Sequence, residues 1–409
     1  MSAYTGYLIR RERLAQNLSQ EGLCKGICAA SYLSKIESGS AEPGEEIIDR
    51  LFAALGIDFV RDPELEEEAQ RQLDQFLFLM DAGEPYEEQK AFFEENRERL
   101  LRSEFSVRLQ LYELVSSASV NNAHEMRERL TEIEAFLSCL SPTEQQWVLL
   151  VKADCQQTQE EEYGILKQAA QIRPYALATY KLAACAYRQG HYSQCSELAD
   201  QAFSQAAYEG NPATMIWSSY LLGSCACNRC DIMLAQRYFQ RTLALCRGYR
   251  EDMSSYIRYN LGATYLEIGQ DESALKELTQ AKEIRSDIYY NMLLHQKLAL
   301  LYARLGRREE GLAELALARA AFAGEQWPES FSADLLEKML VFAQMMLANE
   351  DAEIPGFEET ARALYEDAGR IYGYGYKRFY GRYLIEYYKS QRRYKEALRI
   401  SEEIGYFPE

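Results

Sequence analysis

The chain has 409 residues, 47% of them apolar, and a formal net charge of −18. That length predicts two or three domains, or one small domain with a repeat array, with ample apolar material for a core. The acidic balance argues against a broad basic surface that coats nucleic acid, and no run of about 18 apolar residues is present to cross a membrane.

The N-terminus meets Arg10-Arg11 before any long apolar run develops, so it does not read as a signal peptide. Ten cysteines at irregular spacing point to a reducing, cytoplasmic setting. Tyr4 to about Gln16 is predicted as a first helix, with Leu8, Ile9 and Leu14 inward. Ser19 is a good N-cap for a short helix through about Lys25. Gly26 permits a tight turn, and a further helix runs from about Ala29 to Ser38, stopping at Gly39. Two short helices joined by a Gly-containing turn form a helix-turn-helix, whose second helix is shaped for a DNA major groove. Leu23, Ile27, Leu33 and Ile36 can share one buried face, which leaves Ala30, Ser31, Ser34 and Lys35 outward. Pro43-Gly44 breaks the chain. Glu45 to Leu55 is the next helix, with Ile47, Ile48, Leu51, Phe52 and Leu55 as its apolar stripe and Gly56 as its stop. The small domain closes near Phe59, giving a head of residues 1–60 and a linker of 61–66.

Residues 1–60 hold six Lys/Arg against eight Asp/Glu, a local net of −2, so the remaining residues carry −16. Such a head binds nonspecific DNA weakly and depends on dimerisation. The acidic bulk repels DNA outside the docking face.

Residues 67–409 read as helix by period, with prolines 85, 142, 174, 212 and 328 between helical segments. An internal repeat runs through them. Leu182-Ala183 with Tyr187, Gly190, Tyr192 and Ala202 aligns with Leu222-Gly223, Cys230, Ala235 and Phe239. Next comes Leu261-Gly262 with Tyr265, Gly269, Ala274, Leu278 and Ala281, then Leu298-Ala299 with Tyr302, Gly306, Gly311, Leu315 and Ala318. The small residue after each leucine lies 40, 39 and 37 positions beyond its predecessor. Weaker copies are read at 147–174 and 382–400, and 64–100, 103–138 and 331–369 read as helix pairs with poor signatures.

The Leu-Gly, Tyr, Gly, Ala, Ala pattern resembles the tetratricopeptide (TPR) repeat. The run from Ser31 to Gly39 resembles the repressor-type (XRE) helix-turn-helix, and Leu23 to Gly39 with this body is similar to the peptide-sensing quorum regulators of Gram-positive bacteria, the Rap, Rgg, NprR, PlcR and PrgX group. The resemblance implies an all-α chain: a small helix-turn-helix domain followed by a right-handed α-solenoid of TPR-like helix pairs. It also implies an Arg13–Glu37 pair between the first and recognition helices. Its expected activity is transcription regulation by a cytoplasmic homodimer that binds a double-stranded DNA operator, under control of a short peptide held in the concave groove of the repeat domain. A TPR adaptor that binds a protein partner, tethered to DNA by its head, is the alternative.

Candidate DNA contacts are Arg10, Arg11, Gln20, Lys25, Ser31, Tyr32, Ser34 and Lys35, since the first residues of the second helix approach phosphate and outward residues of the third meet base edges. Ala29 and Ala30 leave little long polar reach there, so thymine methyl contacts, Tyr32 and Lys35 carry much of the readout. On the inner face of the repeats, positions around each leucine give Trp147, Tyr180, Lys181, Arg188, Trp217, Tyr220, Asn228, Tyr256, Tyr259, Asn260, Gln296, Lys297 and Arg304. An Asn amide both donates and accepts, so Asn260 suits an extended peptide backbone, and the cations suit a carboxylate. Read blandly, the same positions form a solvated face with packed tyrosines.

Cys225, Cys227, Cys230 and Cys246 do not space as tetrahedral ligands and read as small packing residues, so no metal or other cofactor is expected. Cys24 and Cys28 read as core. His124, His191 and His295 fall in different repeats with no catalytic constellation, and no enzyme activity is expected. The run Ile371-Tyr372-Gly373-Tyr374-Gly375-Tyr376 reads as a loop, because alternating Gly disfavours a helix start.

Overall fold

A computed structural model describes residues 3–119, 123–137, 140–229, 231–247, 253–284, 288–324, 327, 332–348, 355–368 and 374–405. All regular elements among them are helices, and none is long and apolar enough to cross a membrane. The contacts divide the chain into two compact units, Met1–Thr179 and Tyr180–Glu409.

The head comprises α1 (Ala3–Ala15), α2 (Gln20–Cys24), α3 (Ala30–Glu37) and α4 (Glu45–Leu55). The Ser19 hydroxyl accepts from the Gly22 amide at 3.0 Å, which caps α2 as its sequence position requires. Leu8, Ile9, Leu23, Leu33, Ile36, Ile48, Leu51, Phe52 and Leu55 form one buried cluster. Phe59 closes it by stacking on Phe52, with ring centroids 4.4 Å apart. Leu14, expected inward, is 54% exposed. Six residues at 100° each place it roughly 120° from Leu8, off the buried stripe. Ala30, expected outward, packs half-buried against the cluster, as does Ile27.

Two contacts lock α1 across α3. A Cβ on Gly6 would overlap the carbonyl of Ile36, so only glycine allows this crossing. Arg13 grips the Glu37 carboxylate through Nε (2.6 Å) and Nη2 (2.9 Å), with both side chains buried. The Glu37 hydrogen bond raises the Arg13 pKa, so the guanidinium stays charged.

Nine helix pairs follow among the described residues. The first unit holds α5 (Pro63–Ala82) with α6 (Glu87–Leu100), α7 (Ser106–Ser119) with α8 (Ala123–Glu134), and α9 (Pro142–Asp154) with α10 (Gln159–Ile172). Asp62 caps α5, and Ser141 with Glu144 forms a capping box that starts α9 at Pro142. The head packs on these helices. The Val60 amide donates to the Arg102 carbonyl at 3.0 Å, and Tyr7 meets Phe136 edge-on at 4.0 Å.

In the second unit stand α12 (Tyr192–Glu209), α13 (Pro212–Asn228) with α14 (Ile232–Cys246), α15 (Met253–Glu267) with α16 (Asp271–Lys282), and α17 (Ile288–Arg304) with α18 (Arg308–Ala323). The partner of α12 is α11 (Ala176–Arg188). Then come α19 (Ala333–Leu347), α20 (Phe357–Ala363) running into a π-turn at Leu364–Ala368, α21 (Tyr374–Ser390) and α22 (Tyr394–Gly405). The repeat glycines are packing residues: a Cβ on Gly223 would overlap the Phe239 ring, and one on Gly262 would overlap Leu278. In these two pairs the helices thus meet almost backbone to side chain. Cys225 sits between α12 and α13 against Cys195, with sulfurs 3.3 Å apart, and Cys227 and Cys246 are buried too. Cys230 and Pro328 lie outside the described residues, as do Ile371, Tyr372 and Gly373. Tyr374, Gly375 and Tyr376, expected in a loop, instead form the first turn of α21. Helix packing downstream outweighs the propensity of one glycine.

Candidate nucleic-acid interface and ligand cavity

On the head, the buried stripe of α3 fixes what points away from it. Ser31, Ser34 and Lys35 are exposed on α3, and Lys25 is exposed at the end of α2. Tyr32 is half-buried, with its hydroxyl donating to the Glu42 carbonyl at 3.3 Å. Gln20 is less available than its position suggests: its amide donates to Glu37 Oε2 at 2.7 Å, the third hydrogen bond on that carboxylate. Arg10 and Arg11 lie on the side of α1 that meets the following helices. The Arg10 guanidinium sits 5.9 Å from the Phe136 ring, and Arg11 pairs with Glu12 and donates to the Leu101 carbonyl at 3.1 Å. The structure therefore gathers Lys25, Ser31, Ser34 and Lys35 and sets Arg10 and Arg11 apart from them. Arg50, read from sequence only as a charge, clamps the turn by donating to the Gly26 carbonyl at 2.6 Å.

In the second unit, α13, α15, α17 and α21, with Tyr187 and Tyr192 beside them, line a half-open cavity of about 300 Å³. Of the expected groove residues, Tyr220, Asn228, Tyr259, Asn260 and Lys297 line it. The Asn260 amide donates to the Tyr220 hydroxyl at 2.8 Å, and the Asn228 amide donates to the Tyr187 hydroxyl at 2.6 Å. These bonds aim each amide and set its rotamer. Burial lifts the phenol pKa values of Tyr187, Tyr220 and Tyr259 well above 10, so all three stay neutral hydrogen-bond donors at pH 7.

The other expected residues fall elsewhere. Trp147 is buried in the first unit beside Tyr175, with ring centroids 6.3 Å apart. Gln296 is wholly buried toward α19, with its amide 3.5 Å from the Met339 carbonyl. Arg304 is exposed at the end of α17 and pairs with Asp271. Arg188 is exposed, and Tyr180 and Lys181 are half-buried on α11. Trp217 packs edge-on to Tyr220, and Tyr256 to Tyr290, outside the cavity lining.

One wall of the cavity comes from α21, which the repeat pattern does not foretell. Gly375, Tyr376, Arg378 and Phe379 reach it. A Cβ on Gly375 would overlap the Asn228 amide oxygen. Arg378 forks onto Glu267, donating through Nη2 to Oε2 at 2.8 Å, and Arg382 donates to the Glu267 backbone carbonyl at 2.8 Å. The Lys297 ammonium lies 3.5 Å from the centre of the Phe379 ring. Burial drops its pKa from 10.5 to about 7, against a smaller opposing pull from Glu267.

Residues 9–61 match the model of the helix-turn-helix family HTH_3. The head is a helix-turn-helix domain. No curated protein sequence matches the chain. Among solved structures, the chain is similar to the apo form of the quorum sensor NprR from B. thuringiensis, at 13% identity over 83% of this chain and 99% of that one, with a TM-score of 0.62. A Rap protein complexed with competence and sporulation factor aligns at 13% identity over 83% of this chain and 97% of that one, with a TM-score of 0.63. NprR in complex with its cognate peptide NprX aligns at 14% identity over 82% and 98%, with a TM-score of 0.59. At such identity the likeness is one of fold, that of a TPR-like helical body.

Proposed function

We propose that this protein is a DNA-binding transcription regulator controlled by a short peptide bound among its repeats. The observation that carries the reading is the cavity in the second unit, with two asparagine amides pre-aimed by tyrosine hydroxyls, in a chain that also bears a helix-turn-helix. The solved relatives include NprR with its cognate peptide. In functional terms, residues 1–60 read the operator, 61–66 link, and 67–409 bind peptide and dimerise. Apart from Lys35, the exposed side chains of α3 are short, so one head binds weakly. Two heads on half-sites about 34 Å apart, or a multiple of that, supply the missing affinity. Peptide acts by preferring one geometry of the repeat body, and that preference is the coupling energy felt by the heads. The cytoplasm, where operator and thiols are both found, is the proposed location.

The test is selection from a random double-stranded DNA pool by the full-length protein, with and without peptides retained from a synthetic heptapeptide pool. Native mass spectrometry counts the subunits. Enrichment of a two-fold site that a retained peptide strengthens or abolishes supports the reading. Failure to enrich any site, or enrichment indifferent to every retained peptide, sinks it.

A further inference from the structure

Lys297 stands apart from the other cations near the cavity. It is 3% exposed and lines the cavity, yet among the described residues no oxygen accepts a hydrogen bond from its ammonium. Its neighbours on α21 are ring faces: Phe379 at 3.5 Å, Tyr380 at 5.5 Å and Tyr376 at 5.8 Å. The nearest carboxylate, Glu267, is held by Arg378 and Arg382. The Nζ atom keeps a little exposure to the cavity, so its unused donors face that space while the rest of the side chain is buried. Ring faces offset only part of the desolvation cost.

We propose that the cavity takes the carboxylate end of its ligand, with Lys297 as the counter-ion. The proposal rests on the reading of this region as a ligand groove and specifies which part of the ligand enters. Charge selects a monoanion: one unpaired cation neutralises one carboxylate, and a phosphate dianion would leave a second charge facing Glu267. The cavity is half-open, so a chain end can sit beside Lys297 while the rest of the peptide runs on outside. Asn228 and Asn260 flank the entering backbone, and the tyrosine hydroxyls supply donors that remain neutral. Free small carboxylic acids share the chemistry, and the experiment separates the two sources.

A random heptapeptide pool is offered to the full-length protein in free-acid and C-terminal amide forms, and retained species are read by mass spectrometry. N-acetyl-leucine and its amide form a second arm, read by thermal protection. Both arms are repeated with Lys297→Met, which keeps the aliphatic stem against Phe379. The expected result is that free acids are retained about tenfold to a hundredfold better than amides, the range for a charge-assisted hydrogen bond, and that the preference disappears in the variant. Protection by N-acetyl-leucine alone, lost in the variant, supports the carboxylate site with a small acid as its source and rejects the peptide. Equal retention of acid and amide peptides by the wild-type protein overturns the proposal and leaves the peptide groove standing. Retention of nothing in either arm overturns both.

Discussion

Replacing Lys297 by methionine is expected to make the unliganded protein more stable, with a pH signature that identifies the cause. The side chain is 3% exposed and its pKa falls from 10.5 to about 7, with burial the dominant cause. That fall corresponds to roughly 5 kcal/mol against the charged form. The sign follows from proton counts. Below pH 7 both folded and unfolded chains hold the proton, and the folded state bears the full penalty. Between pH 7 and 10.5 the unfolded chain still binds the proton and the folded one does not, so stability rises with pH by up to about 1.4 kcal/mol per unit. The groups facing Lys297 on neighbouring elements are Glu267 on α15, tied to Arg378 and Arg382, and the phenols of Tyr376 and Tyr380 on α21. Titration of other groups cancels when variant and wild type are compared at each pH. Equilibrium urea unfolding at pH 6, 8 and 10 measures the difference. The variant should exceed wild type by several kcal/mol at pH 6, roughly up to the 5 above, and the gap should close toward pH 10. A variant less stable than wild type at pH 6, or a gap that does not change with pH, refutes the reasoning and makes Lys297 an ordinary packing residue.

Three further outcomes test the head. Gly6→Ala forces a Cβ into the Ile36 carbonyl, so it should destabilise the head by about 1–3 kcal/mol, read as faster amide exchange in α1 and α3. Glu37→Gln strips the charge from a buried pair and should lower stability by roughly 3–5 kcal/mol in urea unfolding, whereas a double replacement of Arg13 and Glu37 by methionine should be far milder. Lys35→Ala should lower DNA affinity and reduce the salt slope of binding by about 1 if Lys35 meets a phosphate, measured by fluorescence anisotropy on a selected site.

The head was legible because its signals are local. Ser19 caps α2, Gly26 and Gly39 take left-handed backbone at φ 76° and 69°, and the apolar stripe of α4 needs nothing from elsewhere. The resemblance also gave the Arg13–Glu37 pair correctly. Gly6 escaped notice because a glycine inside a helix carries no periodic signal, and its role depends on a helix 30 positions away. In the body, the position just before the repeat leucine reaches the cavity in three of four repeats, as Leu221, Asn260 and Lys297, whereas Lys181 before Leu182 does not. The position two before was mixed. Tyr220 and Tyr259 face the cavity, and Gln296 turns into the neighbouring pair, since α19 covers that side of α17. Register along one helix fixes an angle, not which neighbour fills it. The contribution of α21 was out of reach for the same reason: Gly375, Tyr376 and Phe379 belong to a pair four further along the chain from Asn228.

That last contact changes how the second unit behaves as a material. An array in which each repeat touches only its neighbours can fray from its end, losing one layer at a time. Here Arg378 reaches back 111 positions to Glu267 and 151 to the Cys227 carbonyl. The terminal pair is a clasp, not a loose end. Peeling it away opens the cavity, and whatever fills the cavity resists the peeling, so ligand and chain terminus are bound into one cooperative event.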